Sequence, residues 1–103
     1  MTAYSVLAVT PTDDSWIPGY IEPLGKIIAK HGGKYIARTT SHEQVEGDCQ
    51  PAALRVTLEW PDAQAARDFV NDPDCAPYLE ARHKGSTSVH FIIDGKDDLA
   101  LAP

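Results

Sequence analysis

The segment from residue 52 to 60, AALRVTLEW, constrains the fold more than any other stretch of the chain. Leu54, Val56, Leu58 and Trp60 alternate with Ala53, Arg55, Thr57 and Glu59. Successive side chains of an extended strand leave opposite faces, so this period of two describes a strand with one apolar and one mixed face. Such a strand needs neighbours in a sheet and a layer over its apolar side. Three further stretches read as strands. Residues 3–9 (AYSVLAV) are β-rich and end at Thr10-Pro11, and residues 34–40 (KYIARTT) follow later. Residues 87–94 (TSVHFIID) set Val89, Phe91 and Ile93 against Ser88, His90 and Ile92.

The covering layer comes from helices. Trp16, Ile17, Tyr20, Ile21, Leu24, Ile27 and Ile28 fall on one face of a helix. Asp13, Asp14 and Ser15 are its N-cap candidates, with acidic groups that suit the helix dipole. Pro18 fits the first turn, whereas Pro23 removes a backbone bond and predicts a kink between Gly19 and Pro23. His31-Gly32-Gly33 stops the helix with a glycine C-cap. Pro61-Asp62 opens a second helix over 62–71, with Ala63, Ala66, Phe69 and Val70 on its buried stripe. Residues 72–77 break it, and Tyr78 to Lys84 form one more short helical piece. Residues 41–51 read as a polar loop or irregular turn in which Gly47 can take positive φ.

The order is strand, helix, strand, strand, helix, strand. Right-handed crossovers on that order give a ferredoxin-like α+β fold, a four-stranded antiparallel sheet with both helices on one face. Residues 1–95 form this single domain and 96–103 a C-terminal tail. The other sheet face is left uncovered and partly apolar, and a second copy of the sheet is its simplest cover. A homodimer through the sheet face is the expectation.

Composition narrows the partners. The 103 residues carry a net charge of −6 with scattered Lys and Arg, which argues against nucleic acid. Residues 1–10 lack a signal peptide, and no run approaches the ~20 apolar residues that span a bilayer. No membrane partner and a cytoplasmic location are expected. Cys49 and Cys75 have no CxxC spacing and read as separate thiols. Nor do His31, His42, His83 and His90 show metal-ligand spacing, and there is no P-loop or GxGxxG, so neither metal nor cofactor is expected.

Several polar residues have both a structural and a chemical reading. His31 caps the helix dipole or serves as a pocket acid/base. Arg38, Arg55, Glu59 and Arg82 form an interface ion-pair network or an anion pocket, with Arg38 or Arg82 clamping a carboxylate and Glu59 as base. Tyr78 and Arg82 share a helix face at i, i+4. His90 is a hydrogen-bonded strand residue or a ligand contact. Trp16 and Trp60 are packing anchors first and pocket lining second, and Tyr20 lies on the same stripe as Trp16. The catalytic candidates are therefore His31, Glu59 and Arg82; the ligand-binding candidates are Trp16, Tyr20, Arg38, Arg55, Tyr78 and His90.

A family resemblance is carried by Trp16 to Tyr20, the run His31-Gly32-Gly33-Lys34-Tyr35-Ile36-Ala37-Arg38, Val45-Glu46-Gly47, and Leu58-Glu59-Trp60-Pro61-Asp62. Tyr78, Arg82 and the closing Ile93-Asp94-Gly95 add to it. From about residue 4 to 95 the chain resembles the domain of unknown function 1330 family. That family is in turn similar to the dimeric α+β barrels, which include cofactor-free monooxygenases, lactone isomerases and chlorite dismutase relatives. The resemblance implies the fold and a dimer; it names no reaction. The segment Asn71 to Pro77 departs from the family's usual tighter, aromatic-bearing stretch, which bears on how a pocket near Tyr78 is closed. Two functions follow. One is a small enzyme without organic cofactor acting on a small carboxylated or aromatic metabolite between helices and sheet. The other is a non-catalytic ligand-binding or structural dimer in which the polar residues only fix the interface.

Overall fold

A computed structural model describes residues 1–48 and 51–100; Cys49 and the end of the tail lie outside them. The chain runs β1 (Ala3–Pro11), α1 (Ile17–Lys30), β2 (Lys34–Thr39), β3 (Leu54–Trp60), α2 (Ala63–Val70), α3 (Ala76–Gly85) and β4 (Ser86–Asp94). The strands make one antiparallel sheet in the order β2-β3-β1-β4. This is the ferredoxin-like α+β arrangement, with the short helical piece before β4 present as α3.

Register fixes which side chains face the helices. Ala3, Ser5, Leu7 and Val9 of β1 lie opposite Trp60, Leu58, Val56 and Leu54 of β3. Directly opposed residues share a sheet face. These inward rows pack with Leu24 and Ile28 of α1, Ala66 and Phe69 of α2, and Leu79 of α3 into one core. All three helices therefore cover the same side of the sheet.

β4 turns its more apolar set outward. His90 pairs with Leu7, and Ile92 with Ser5, so Ser88, His90 and Ile92 face the helices. Val89, Phe91 and Ile93 stand on the uncovered face, with Phe91 63% exposed. They lie beside Tyr4, Val6 and Ala8 of β1, opposite which β3 sets Glu59, Thr57 and Arg55. The open face is thus apolar on its β1–β4 half and polar on its β3 half.

The start of α1 differs from the expectation. Trp16, not an Asp or Ser, holds the N-cap position, and no side chain caps the helix. Asp13 instead accepts hydrogen bonds from the Ser15 backbone nitrogen (2.9 Å) and Ser15 Oγ (3.0 Å), a local turn. Trp16 is fixed from its other end, because Nε1 donates to the Gly85 carbonyl at 3.0 Å. The helix then runs without interruption through Pro23 to Lys30. It ends as its glycines require: Gly32 has φ +78°, and the Gly33 nitrogen donates to the Ile28 carbonyl at 2.9 Å. At the start of α2, Asp62 accepts from the Ala65 nitrogen at 2.8 Å, the expected N-cap.

Candidate functional site

A cavity of about 110 Å³ lies between α1, α3 and the inner sheet face. Leu7, Val9, Leu24, Ile28, Val56, Leu58 and Phe69 supply most of its wall. Pro11, Trp16, Ile17, Tyr20 and Ile21 bring in the first half of α1, and exposed Ile21 and Arg38 mark its rim. The volume is of the order of the roughly 150 Å³ that accepts a benzene ring inside an apolar protein interior. Besides Arg38 at the rim and Tyr35, the polar side chains Tyr20, Arg82 and His90 break the apolar lining.

Arg82 belongs to the last turn of α3 and is 6% exposed. Its Nη1 donates to Tyr20 Oη at 2.9 Å. The Tyr20 ring meets Trp16 edge-on with centroids 5.0 Å apart, so α1 presents a small aromatic wall to the cavity. Burial pushes the Tyr20 phenol above its ordinary value, against a smaller opposing pull from Arg82. The phenol stays protonated at neutral pH and keeps its own O–H to donate.

His90 occupies the opposite wall. Its Nε2 lies 2.8 Å from Ser5 Oγ, which also accepts the Trp60 Nε1–H at 2.8 Å. Burial first, and the Arg82 charge second, hold the His90 imidazole down to about 4, so it is neutral at pH 7. The Trp60–Ser5–His90 chain ties a fully buried core group to the cavity wall. Ser5 carries a single signal in the sequence, a hydroxyl at an inward position of an otherwise apolar strand.

Arg38 reaches the cavity because of an irregularity. The β2–β3 register shifts between Tyr35 and Ala37, leaving Ile36 as a bulge. Without it, residues three apart on a strand would face opposite sides. With it, both Tyr35 and Arg38 face inward, and the Arg38 guanidinium sits 4.1 Å above the Tyr35 ring.

Of the residues singled out in the sequence, Trp16, Tyr20, Arg38, Arg82 and His90 line this cavity. The other four stand elsewhere. Glu59 and Arg55 project from the open face of β3, where Glu59 pairs with Lys34 at 3.0 Å. The period of two in β3 separates them from Arg82 by the thickness of the sheet. Tyr78 packs partly buried against the core. At the end of α1, His31 has its Nε2 2.7 Å from Asp72 Oδ2, which also accepts from Lys30 Nζ at 3.1 Å. His31, Glu59 and Arg82 thus occupy three separate places. Hydrogen bonds from His31, the Asp74 nitrogen and Lys30 hold the Asp72 carboxyl well below the usual carboxylate range. This cluster staples α1 to the turn after α2 at Asn71 to Pro77. Among the described residues no group of three or more His, Cys, Asp or Glu side chains is placed to hold a metal ion. Nor is any described helix long and apolar enough to cross a membrane.

The model of the domain of unknown function 1330 (DUF1330) family matches residues 2–96. The chain belongs to that family. No curated protein matches the sequence. Among solved structures, this DUF1330 chain is similar to a protein of unknown function from Rhodopseudomonas palustris. The TM-score is 0.76 at 13% identity, over 93% of this chain and 83% of the other. It is also similar to SnoaB, a cofactor-independent oxygenase from Streptomyces nogalater, with TM-score 0.57 and 19% identity over 95% and 94% of the two chains. A Mycobacterium tuberculosis protein gives 0.52 at 13% identity, over 95% of this chain and 99% of that one. These likenesses show a shared α+β barrel-type fold.

Proposed function

We propose that this DUF1330 chain binds a small aromatic or carboxylated metabolite in the cavity between helices and sheet, without an organic cofactor. The observation that carries this reading is an apolar cavity on which Tyr20, Arg82 and His90 converge. Mostly apolar walls with a few convergent polar groups are the usual make-up of a ligand site. The test is a thermal-shift screen of small aromatic and carboxylated metabolites on the wild type, repeated on Leu54→Trp. Leu54 is a half-buried wall residue, and an indole there fills the cavity. A stabilising ligand is expected for the wild type and not for the variant. Ligand shifts that survive in a folded Leu54→Trp protein place the site elsewhere.

The working unit in this reading is a homodimer joined through the open sheet face. Val6, Val89, Phe91 and Ile93 are exposed there together, and a two-fold axis sets one such patch on another. Light scattering at micromolar concentration is expected to give twice the chain mass, and Phe91→Asp to give a folded monomer. A wild-type mass near 11.2 kDa refutes it. Its place is the cytoplasm, a reducing compartment that suits the free, buried Cys75 thiol.

Turnover of the bound molecule is a second reading, favoured by the position of the His90 imidazole in the cavity wall, where it can exchange a proton with a bound molecule. SnoaB, similar over 95% of this chain, is a cofactor-independent oxygenase. Consumption of a bound ligand by the wild type but not by His90→Gln distinguishes turnover from binding alone.

A further inference from the structure

Arg82 is a cation without a counter-charge. The residue is 6% exposed, and its Nε is a buried side-chain atom with no hydrogen-bond partner. Among the described residues no carboxylate stands within ion-pairing distance of it, and its polar contact is the neutral Tyr20 hydroxyl. The titratable groups that feel its charge are Tyr20, Cys75 and His90. Burial keeps the phenol protonated, pushes the Cys75 thiol up to about 11, and leaves His90 neutral. Asp72, whose charge reaches Cys75, is spent on His31, Lys30 and the Asp74 nitrogen. A guanidinium withdrawn from water carries a large desolvation penalty unless an anion faces it. Nothing described in this protein supplies that anion.

We propose that the cavity takes its ligand as a monoanion, with the acidic oxygens on the Arg82 guanidinium and the apolar body along Tyr20, Leu24 and Ile28. This rests on reading the cavity as a ligand site and adds the charge and orientation of the occupant. Arg82 lines the cavity with Nη1 engaged by the neutral Tyr20 hydroxyl, and a carboxylate is the planar acid group whose charge and shape suit a guanidinium. The room, about 110 Å³, fits a single ring or a short chain bearing one acid. A phosphate ester fits poorly, because its second charge would meet an apolar wall and no second buried cation. Arg38 at the rim stands on the path inward, where a positive charge favours arrival of an anion.

The test is titration calorimetry at pH 7 with three probes of one shape: benzoate, benzamide and toluene. Benzoate is expected to bind about tenfold or more tightly than benzamide, the gain of a charge-assisted over a neutral hydrogen bond. Arg82→Met is expected to remove that preference and keep toluene binding, while Arg82→Lys retains part of it. Equal affinity of the wild type for benzoate and benzamide overturns the anionic assignment and leaves the cavity reading standing. Failure of all three probes to bind overturns both. The wild-type comparison decides even where Arg82→Met does not fold.

Discussion

Replacing Ser5 by alanine tests the link between the core and the cavity wall. Ser5 and Trp60 are among the fully buried side chains, at 0% and 1% exposure. Ser5 Oγ is the acceptor for the Trp60 indole N–H, a group that can only donate. Alanine keeps the size of the site but strands that donor, at a cost of about 1–3 kcal/mol for a buried unsatisfied group. His90 loses its 2.8 Å contact as well. It borders the cavity and regains part of the loss from solvent, so its share is about 0.5–1 kcal/mol. The total comes to roughly 1.5–4 kcal/mol, a large fraction of the stability of a domain this size. Urea denaturation should show it as a lower midpoint at unchanged slope. The double variant Ser5→Ala, Trp60→Phe removes donor and acceptor together, so its loss should fall short of the summed single losses by about 0.5–3 kcal/mol. A loss below about 0.5 kcal/mol for Ser5→Ala, or strict additivity in the cycle, would refute the chain of bonds described above.

Two further perturbations probe the walls and the charge state. A Cβ on Gly85 would stand 2.2 Å from Trp16 Cδ1 and 2.3 Å from its Nε1, so Gly85→Ala must expel the indole from its seat. We expect a loss of about 1–3 kcal/mol in chemical denaturation and an altered near-ultraviolet tryptophan signal; an unchanged signal counts against the seat. Acid should destabilise the protein in two stages. The His90 imidazole titrates near 4 when folded and near 6.5 when unfolded, so the unfolded chain takes up the proton first and stability falls between those values. With the ring partly open to the cavity, the loss is about 1–2 kcal/mol, and His90→Gln should flatten that window. Asp72 acts lower: its folded carboxyl is held below the unfolded value of 3.8, so the stability it contributes is lost as pH falls below about 4. A wild-type stability that stays level from pH 6.5 to pH 4 contradicts the buried, neutral His90.

The amino-acid sequence alone determined the elements and their order. The two-residue alternation of β3, the helical stripe from Trp16 to Ile28 and the His31-Gly32-Gly33 stop are local patterns. Local patterns survive folding because they follow from the pitch of a helix and the pleat of a strand. The α+β class, the antiparallel sheet and the presence of an uncovered face all followed from them. So did the placing of Trp16 and Tyr20 on one helical stripe, the stripe that borders the cavity.

What the alternation could not say is which side of a strand turns inward. In β4 both sets carry apolar residues, and only the pairing of His90 with Leu7 sent Val89, Phe91 and Ile93 to the open face. The same rule separated Glu59 and Arg55 from Arg82, while one bulge at Ile36 carried Arg38 to the cavity side. At the start of α1, a bond from Trp16 to Gly85, 69 residues away, displaced the expected Asp and Ser cap. Each of these outcomes depends on a partner remote in the chain. Register across a sheet is a relation between strands, and no single strand contains it.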